Sequence, residues 1–233
     1  MQFYLDGKVK EYDDDKLEYL DEGFECFVYR LEDDKVLKEL KQRSAKRTWL
    51  TKESIDRMKS IKTKRILLPT MALTDKKDNL SAYEMDYIED YGVQNYFDLD
   101  KEKLKEENSK LKEDIELISD NKLLVEDLLT ENTSFHNGIY FIDPGSYIFD
   151  DTISENQAFG MNIDLVNHYL LYEVICRYHL VKYNKSNNFR KSYAFSKDIQ
   201  LEYNKSGKQD VIEFLSDIEE DNLREFVERR AKH

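Results

Sequence analysis

The spacing of apolar residues changes near residue 90, and this change limits the folds that the chain can adopt. Before it, short segments rich in Val, Leu, Tyr and Phe alternate with clusters of turn-forming residues, which predicts β-strands. After residue 100, apolar residues recur every three or four positions, which predicts helices. We therefore expect an α+β fold, with a strand-rich part over residues 1–90 and a mainly helical part over 91–233.

The first ninety residues predict an antiparallel meander of five strands, at 17–20, 24–31, 35–40, 66–73 and 80–88. One helix interrupts the meander at 48–61, because Trp49, Ile55, Met58 and Ile61 follow helical spacing. This part of the chain is expected to form one small sheet with a single helix.

The second half predicts helices and one hairpin. A charged helix spans 100–120, with Asp98 or Asp100 available to cap its first turn. A tight hairpin of strands at 133–136 and 139–142 is predicted around Asn137-Gly138, a dipeptide that tolerates positive φ at both positions. A polar loop is predicted at 184–188. Two apolar stripes mark further helices: Ile163, Val166, Leu170, Val174 and Val181, then Val211, Phe214, Leu215, Ile218, Phe226 and Val227.

Composition excludes several classes of protein. Lys and Arg number 36 and Asp and Glu number 49, so the net charge is −13, and a surface of that sign repels nucleic-acid phosphates and anionic lipid. No apolar stretch approaches a membrane span, and Cys26 and Cys176 lie far apart without metal-ligand neighbours. We expect a cytoplasmic monomer that binds neither nucleic acid nor membrane, with acidic mimicry of nucleic acid as a minor alternative.

Three segments carry residues suited to chemistry. Alternation along the third predicted strand places Lys38 on the same face as Val36 and Leu40, where an ammonium needs an anionic partner or a route to water. Asp127 and Asn132 lie five residues apart in a predicted loop before the hairpin. The second strand of the hairpin ends at Asp143, whose carboxylate is therefore held at a turn, as in sites for hard divalent cations.

Together with two other segments, these residues resemble the parts of the protein kinase-like superfamily, in the same order. Residues 20–29 look like its nucleotide-covering loop, 36–38 like the strand with the phosphate-pairing lysine, and 83–88 like the hinge. Residues 125–132 are similar to the catalytic loop, and 143–145 to the metal-binding turn. The resemblance implies a bilobal fold with a five-stranded N-lobe at 1–90 and a reduced helical C-lobe at 91–233.

The resemblance also implies a role for each residue. Lys38 is expected to pair with the α- and β-phosphates of ATP, and Glu53 on the inserted helix to orient it, with Asp56 as the reserve candidate. An ordinary first-turn carboxylate is the alternative interpretation of Glu53. Three residues are assigned to the reaction itself: Asp127 as the base for the attacking hydroxyl, and Asn132 and Asp143 as ligands of Mg²⁺.

The nucleotide is expected to lie between the sheet and the hinge. The resemblance implies that Val28 and Val36 form an apolar roof over adenine, while the backbone near Asp86 and Ile88 offers hydrogen bonds to its edge. Gly23 is the one glycine retained from the family's three, so the covering loop approaches phosphate less closely.

The resemblance implies an ATP- and Mg²⁺-dependent kinase that phosphorylates a protein Ser/Thr hydroxyl. Leu129 stands where protein kinases usually have a lysine, and the short segment after Asp143 leaves no room for a full activation segment. These departures keep three alternatives open: a pseudokinase or nucleotide-binding interaction module, a small-molecule kinase, and an acidic interaction protein built around the 100–120 helix.

Overall fold

The computed structural model describes residues 1–41, 49–183, 189–219 and 222–232. The fold is α+β, and its largest element is an antiparallel sheet of seven strands. In spatial order the strands are β2-β1-β6-β7-β5-β4-β3. Their bounds are β1 (Gln2–Leu5), β2 (Lys8–Glu11), β3 (Glu18–Glu22), β4 (Cys26–Arg30), β5 (Lys35–Leu40), β6 (Met71–Thr74) and β7 (Leu80–Asp86).

The prediction of five strands is wrong because the chain begins with a further hairpin. Strands β1 and β2 are joined by a turn at Asp6 and Gly7, both of which have positive φ. The hairpin extends the sheet at β6, where Tyr4 pairs with Thr74. Its strands have four residues each, and β2 is almost entirely polar, so the strand signal is weak.

The remaining elements of the described residues are helices and two short strand pairs. The helices are α1 (Lys52–Met58), α2 (Val93–Phe97), α3 (Lys101–Asp120), α4 (Glu155–Tyr169), α5 (Ile175–Tyr183), α6 (Phe189–Ser206), α7 (Val211–Ser216) and α8 (Leu223–Arg230). A π-helical turn, Leu170–Val174, joins α4 to α5. The short strands are β8 (Leu123–Leu124), β9 (Thr133–Phe135), β10 (Ile139–Phe141) and β11 (Ile148–Phe149). They pair as β9 with β10 and β8 with β11.

Several predicted boundaries differ from the observed ones. The inserted helix begins at Lys52, so Trp49 precedes it and is 65% exposed, whereas Ile55 and Met58 are fully buried. The predicted fourth strand begins only at Met71. Val181 is 48% exposed and does not belong to the apolar stripe that was predicted for it. The predicted polar loop at 184–188 lies outside the described residues.

Side-chain alternation in the sheet separates two apolar clusters. Leu37 points to one face and packs with Phe3, Leu73 and Ala82 in a small cluster. Val36 points to the other face and belongs to the large core that the helices share. Because Lys38 has the parity of Val36, its side chain points from the sheet toward the helical part of the molecule.

Helix α3 packs inside the molecule. Its side chains Leu104, Leu111 and Ile115 are buried, and the helix lies against α4 and α7. Asp100 is the residue that caps it, since its carboxylate accepts a hydrogen bond from the backbone N–H of Lys103 at 2.8 Å. The apolar seam of this helix is therefore used within the chain.

The segment before β6 is held between α3 and β10. The buried carboxylate of Asp114 accepts hydrogen bonds from the backbone N–H groups of Lys64, Arg65 and Ile66. Phe141 of β10 donates its N–H to the carbonyl of Arg65 and accepts from the N–H of Leu67, each at 2.8 Å. These bonds hold the end of β10 against the segment that leads into β6.

Within the described ranges, no helix combines the length and the apolar character needed to cross a membrane.

Candidate functional site

Lys38 lies in the middle of β5 and is 7% exposed. Its neighbours across the sheet are Val28 on β4 and Tyr83 on β7. The Nζ atom donates a hydrogen bond to the carbonyl oxygen of Ile142 at 2.9 Å and lies 3.1 Å from Oδ1 of Asp143. These two contacts supply the anionic and polar partners that a buried ammonium needs.

Asp143 follows the β9–β10 hairpin at a turn. The strand that precedes it is buried along its whole length, so the backbone at Asp143 has little freedom. The next residues, Pro144–Ser146, form one turn of 3₁₀-helix, and the Asp143 carboxylate accepts the N–H of Gly145 at 3.4 Å. The carboxylate is about one-third exposed, which leaves it accessible from solvent.

Asp127 and Asn132 form a second pair in the loop after β8. Asn132 donates from its side-chain nitrogen to the Asp127 carbonyl at 2.8 Å and to Oδ2 of Asp127 at 3.3 Å. Asp127 has a φ of 55°, a left-handed conformation that aspartate tolerates better than most residues. The loop also closes on itself, since the N–H of Leu129 donates to the Asp127 carbonyl at 2.9 Å.

One backbone hydrogen bond joins the Asp127–Asn132 pair to the segment that holds Lys38 and Asp143. The N–H of Ile142 donates to the carbonyl of Asn132 at 2.9 Å. Ile142 is also the residue whose carbonyl accepts from Lys38, and Asp143 follows it. The structure therefore brings Lys38, Asp143, Asn132 and Asp127 into one region of the molecule.

Asn162, on α4, anchors the start of this loop. Its side chain is 1% exposed and accepts a hydrogen bond from the N–H of Val125 at 2.9 Å. Its side-chain nitrogen donates to the carbonyl of Leu123 and to Oγ of Ser119, each at 2.9 Å. No pattern in the sequence marks this asparagine as an anchor.

The residues predicted to contact adenine lie along one side of the site. Val28 is half-buried and Val36 is buried, and both share the face of Lys38. Ile88 is half-buried and packs against the large core. Asp86 ends β7 with an exposed side chain, which forms an ion pair with Lys35.

The residues predicted to orient Lys38 are placed elsewhere. Glu53 and Asp56 are exposed on α1, which turns Ile55 and Met58 toward the core. Asp56 pairs with Lys59. Among the described residues, the carboxylate that pairs with Lys38 is that of Asp143.

Two residues near the site were missed by sequence reasoning. Glu25, in the turn between β3 and β4, reaches toward Gly145: a Cβ at Gly145 would lie 3.1 Å from Oε2 of Glu25. Burial raises the pKa of the Glu25 carboxyl, the carboxylates of Asp143 and Asp127 raise it further, and Lys38 lowers it. Glu25 could have been noticed in the sequence, because it lies two residues after Gly23 in the segment that resembles the nucleotide-covering loop.

Tyr147 is the second missed residue. Its side chain is 1% exposed, and its hydroxyl has no hydrogen-bond partner in the described part of the chain. Burial raises its pKa, and the nearby Asp143 carboxylate adds to the effect. Nothing in the sequence distinguishes this tyrosine from the other fifteen.

An open pocket of about 510 Å³ lies beside Asp127, between the loop and α4. Its wall mixes apolar and ionisable side chains. The lining residues are Leu124, Val125, Glu126, Asp127, Met161, Asp164, Leu165 and His168. The pocket is large enough to receive a single side chain or a small molecule next to the Asp127 carboxylate.

The described residues contain no group of three or more His, Cys, Asp and Glu side chains arranged to hold a metal ion. Asn132 and Asp143 offer an amide oxygen and a carboxylate, joined through the Asn132–Ile142 hydrogen bond. Mg²⁺ bound with a nucleotide usually takes one or two protein oxygens and fills its shell with phosphate oxygens and water. This donor set fits Mg²⁺ that arrives with phosphates rather than a cage made by protein alone.

Comparison with protein-family models gives no match for this chain, and comparison with curated proteins gives none either. The function is therefore argued from the geometry of the site.

Proposed function

We propose that this chain is an ATP- and Mg²⁺-dependent phosphotransferase with a bilobal protein kinase-like fold, which transfers the γ-phosphoryl group to a protein Ser/Thr hydroxyl. One observation carries the proposal. The Lys38 ammonium, from the middle of the sheet, lies 3.1 Å from Asp143, more than a hundred residues away in sequence. A buried lysine beside a turn carboxylate, with an Asp–Asn pair nearby, supports phosphoryl transfer, because that reaction depends on charge neutralisation and on alignment of the reacting groups.

Each residue has a distinct task in this proposal. Lys38 holds the α- and β-phosphates, because its ammonium extends from the sheet to the carbonyl of Ile142 and the carboxylate of Asp143. Asn132 and Asp143 are the residues that would hold Mg²⁺, which when bound neutralises charge on the phosphates. The Asn132 carbonyl accepts the N–H of Ile142 and the Asp143 carboxylate accepts the N–H of Gly145, and these bonds keep both residues in place as the phosphates arrive.

Asp127 is proposed as the base that receives the proton of the attacking hydroxyl. Its carboxylate is exposed and borders the pocket of about 510 Å³, where an acceptor can approach. The side-chain nitrogen of Asn132, at 3.3 Å, orients Oδ2 of Asp127. A positioned base of this kind typically contributes about 10²- to 10⁴-fold to the rate.

The test is transfer of labelled phosphate from ATP in the presence of Mg²⁺, with dephosphorylated casein and the chain itself as acceptors. We expect Asp127→Ala to reduce transfer by about a hundredfold or more. Glu126→Gln is the matched control, because Glu126 is the exposed neighbouring carboxylate in the same pocket. Transfer that survives Asp127→Ala undiminished contradicts the proposal.

A second candidate, a pseudokinase that acts as an interaction module without catalysis, is favoured by the position of Glu25. Its carboxylate reaches Gly145, the residue after Pro144 in the turn that is proposed to bind metal. An acid in that place opposes the entry of phosphates. Thermal unfolding separates the two candidates, because ligand at a hundred times its Kd stabilises the folded state by about 2.7 kcal/mol. Absence of a shift in Tm with ATP and Mg²⁺ supports the interaction module.

A further inference from the structure

The turn between β3 and β4, residues 23–25, is held closed by the chain itself. The N–H of Gly23 donates to the carbonyl of Cys26 at 3.0 Å. Lys41, which follows β5, donates from Nζ to the carbonyl of Gly23 at 2.6 Å and to the carboxylate of Glu22 at 2.7 Å. Its backbone N–H donates to the carbonyl of Glu25 at 2.9 Å.

This closed turn directs the Glu25 side chain over the turn that follows Asp143. The approach is close, since Oε2 lies 3.1 Å from where a Cβ would stand on Gly145. Any side chain at position 145 would therefore meet the Glu25 carboxylate. The two turns therefore come together at Glu25 and Gly145.

The charges gathered here are unfavourable for a naked polyphosphate. The carboxylates of Asp143 and Asp127 lie near enough to Glu25 to raise the pKa of its carboxyl, and the Lys38 ammonium, 3.1 Å from Asp143, lowers it. When all four groups are ionised, these three carboxylates and the one lysine carry a net charge of about −2. ATP without a metal adds about four more, and like charges this close repel strongly in a partly buried site.

We propose that Glu25 is a specificity-determining residue that restricts this site to nucleoside triphosphate in complex with a divalent cation and rejects the metal-free form. The inference rests on the proposed nucleotide-binding function of the same site. A divalent cation offsets the excess of carboxylates, whereas the free polyphosphate meets it without compensation. Glu25 thus discriminates between metal-bound and metal-free nucleoside triphosphate, which a glycine at position 25 would not do.

The experiment measures ATP affinity by titration calorimetry, once with Mg²⁺ and once with EDTA, for the unaltered chain and for Glu25→Gln. We expect Glu25→Gln to tighten binding of metal-free ATP by about tenfold or more. With Mg²⁺ present, the affinity should change by less than about threefold, because the cation already offsets the charge. Glu18→Gln is the control, since Glu18 is an exposed carboxylate in the same sheet.

The outcomes separate the two proposals. If Glu25→Gln binds ATP but keeps the metal dependence of the unaltered chain, Glu25 does not discriminate and only this inference is overturned. If no variant binds ATP in either condition, the proposed function fails and the inference fails with it. An equal gain in Glu18→Gln would attribute the effect to net charge and would also overturn the role of Glu25. Thermal unfolding of each variant confirms that the comparison is made on folded protein.

Discussion

Replacement of Asn162 should remove the hydrogen bonds that join α4 to the start of the Asp127 loop, and so destabilise the fold. Three hydrogen bonds of 2.9 Å are lost in Asn162→Ala. Ser119 keeps its bond to the Ile115 carbonyl, so the N–H of Val125 and the carbonyl of Leu123 are the groups left short of a partner. A buried polar group without a partner costs about 1–3 kcal/mol. We expect the free energy of unfolding to fall by about 3 kcal/mol, allowing for relaxation.

Urea denaturation measures this loss, and thermal unfolding should show a fall in Tm of about 6–12 °C for a chain of this size. Asn167→Ala is the matched control, because Asn167 lies on the same helix and accepts one hydrogen bond, from the N–H of Val211 at 2.9 Å. Its loss should cost about 1 kcal/mol. If the two variants are equally stable, the three-bond anchor does not stabilise the loop and the reasoning is refuted.

Three further predictions concern single groups. Tyr147→Phe should leave stability unchanged or slightly higher, whereas Tyr96→Phe should lose about 1 kcal/mol, because only the Tyr96 hydroxyl has a partner, at 3.1 Å. Gly138→Ala should destabilise the fold by more than about 1 kcal/mol, since the φ of Gly138 is 155° and a Cβ there would meet the buried ion pair of Arg65 and Glu107. Gly160→Ala, in open space on α4, should instead stabilise by about 0.5–1 kcal/mol. Burial raises the pKa of the Cys26 thiol to about 11, so a disulfide reagent at pH 8 should label it about a hundredfold more slowly than in urea.

Each of these has a clear contrary result. Equal losses in the two tyrosine variants would mean that the Tyr147 hydroxyl has a partner in solution. Chemical denaturation curves for the two glycine variants should move in opposite directions, and movement in the same direction contradicts the steric argument. Cys26 labelling that is as fast in the folded protein as in urea would show that the thiol is neither buried nor electrostatically suppressed.

Local rules predicted those elements whose signal lies within a few residues. The hairpin at Asn137-Gly138 is confirmed, with positive φ at both residues, because this turn is specified by the two residues themselves. The strands predicted at 24–31, 35–40 and 80–88 are confirmed as β4, β5 and β7. The first hairpin was missed, because four-residue strands as polar as β2 bury too little to produce a pattern.

The sequence allowed individual residues of the candidate site to be singled out, but it did not predict which of them are in contact. Lys38 could be singled out because a cation stands among apolar residues of one parity. Its pairing with Asp143 depends on how the hairpin lies under the sheet, and no local rule supplies that. Glu25 needed the same information, since its importance comes from Gly145, which is 120 positions later in the chain. The assigned roles of these residues in catalysis stay predictions.

The backbone bonds between Phe141 and the segment at residues 65–67 have a consequence for how a ligand enters. They hold the hairpin against the segment that leads into β6, and the hydrogen bond from Lys38 to Ile142 joins the hairpin to β5. Moving the hairpin away would break all three bonds together, which is costly. The turn at residues 23–25 is held mainly by one lysine, so it opens at lower cost. We expect the nucleotide of the proposed function to enter and leave by movement of this turn, while the hairpin stays in place.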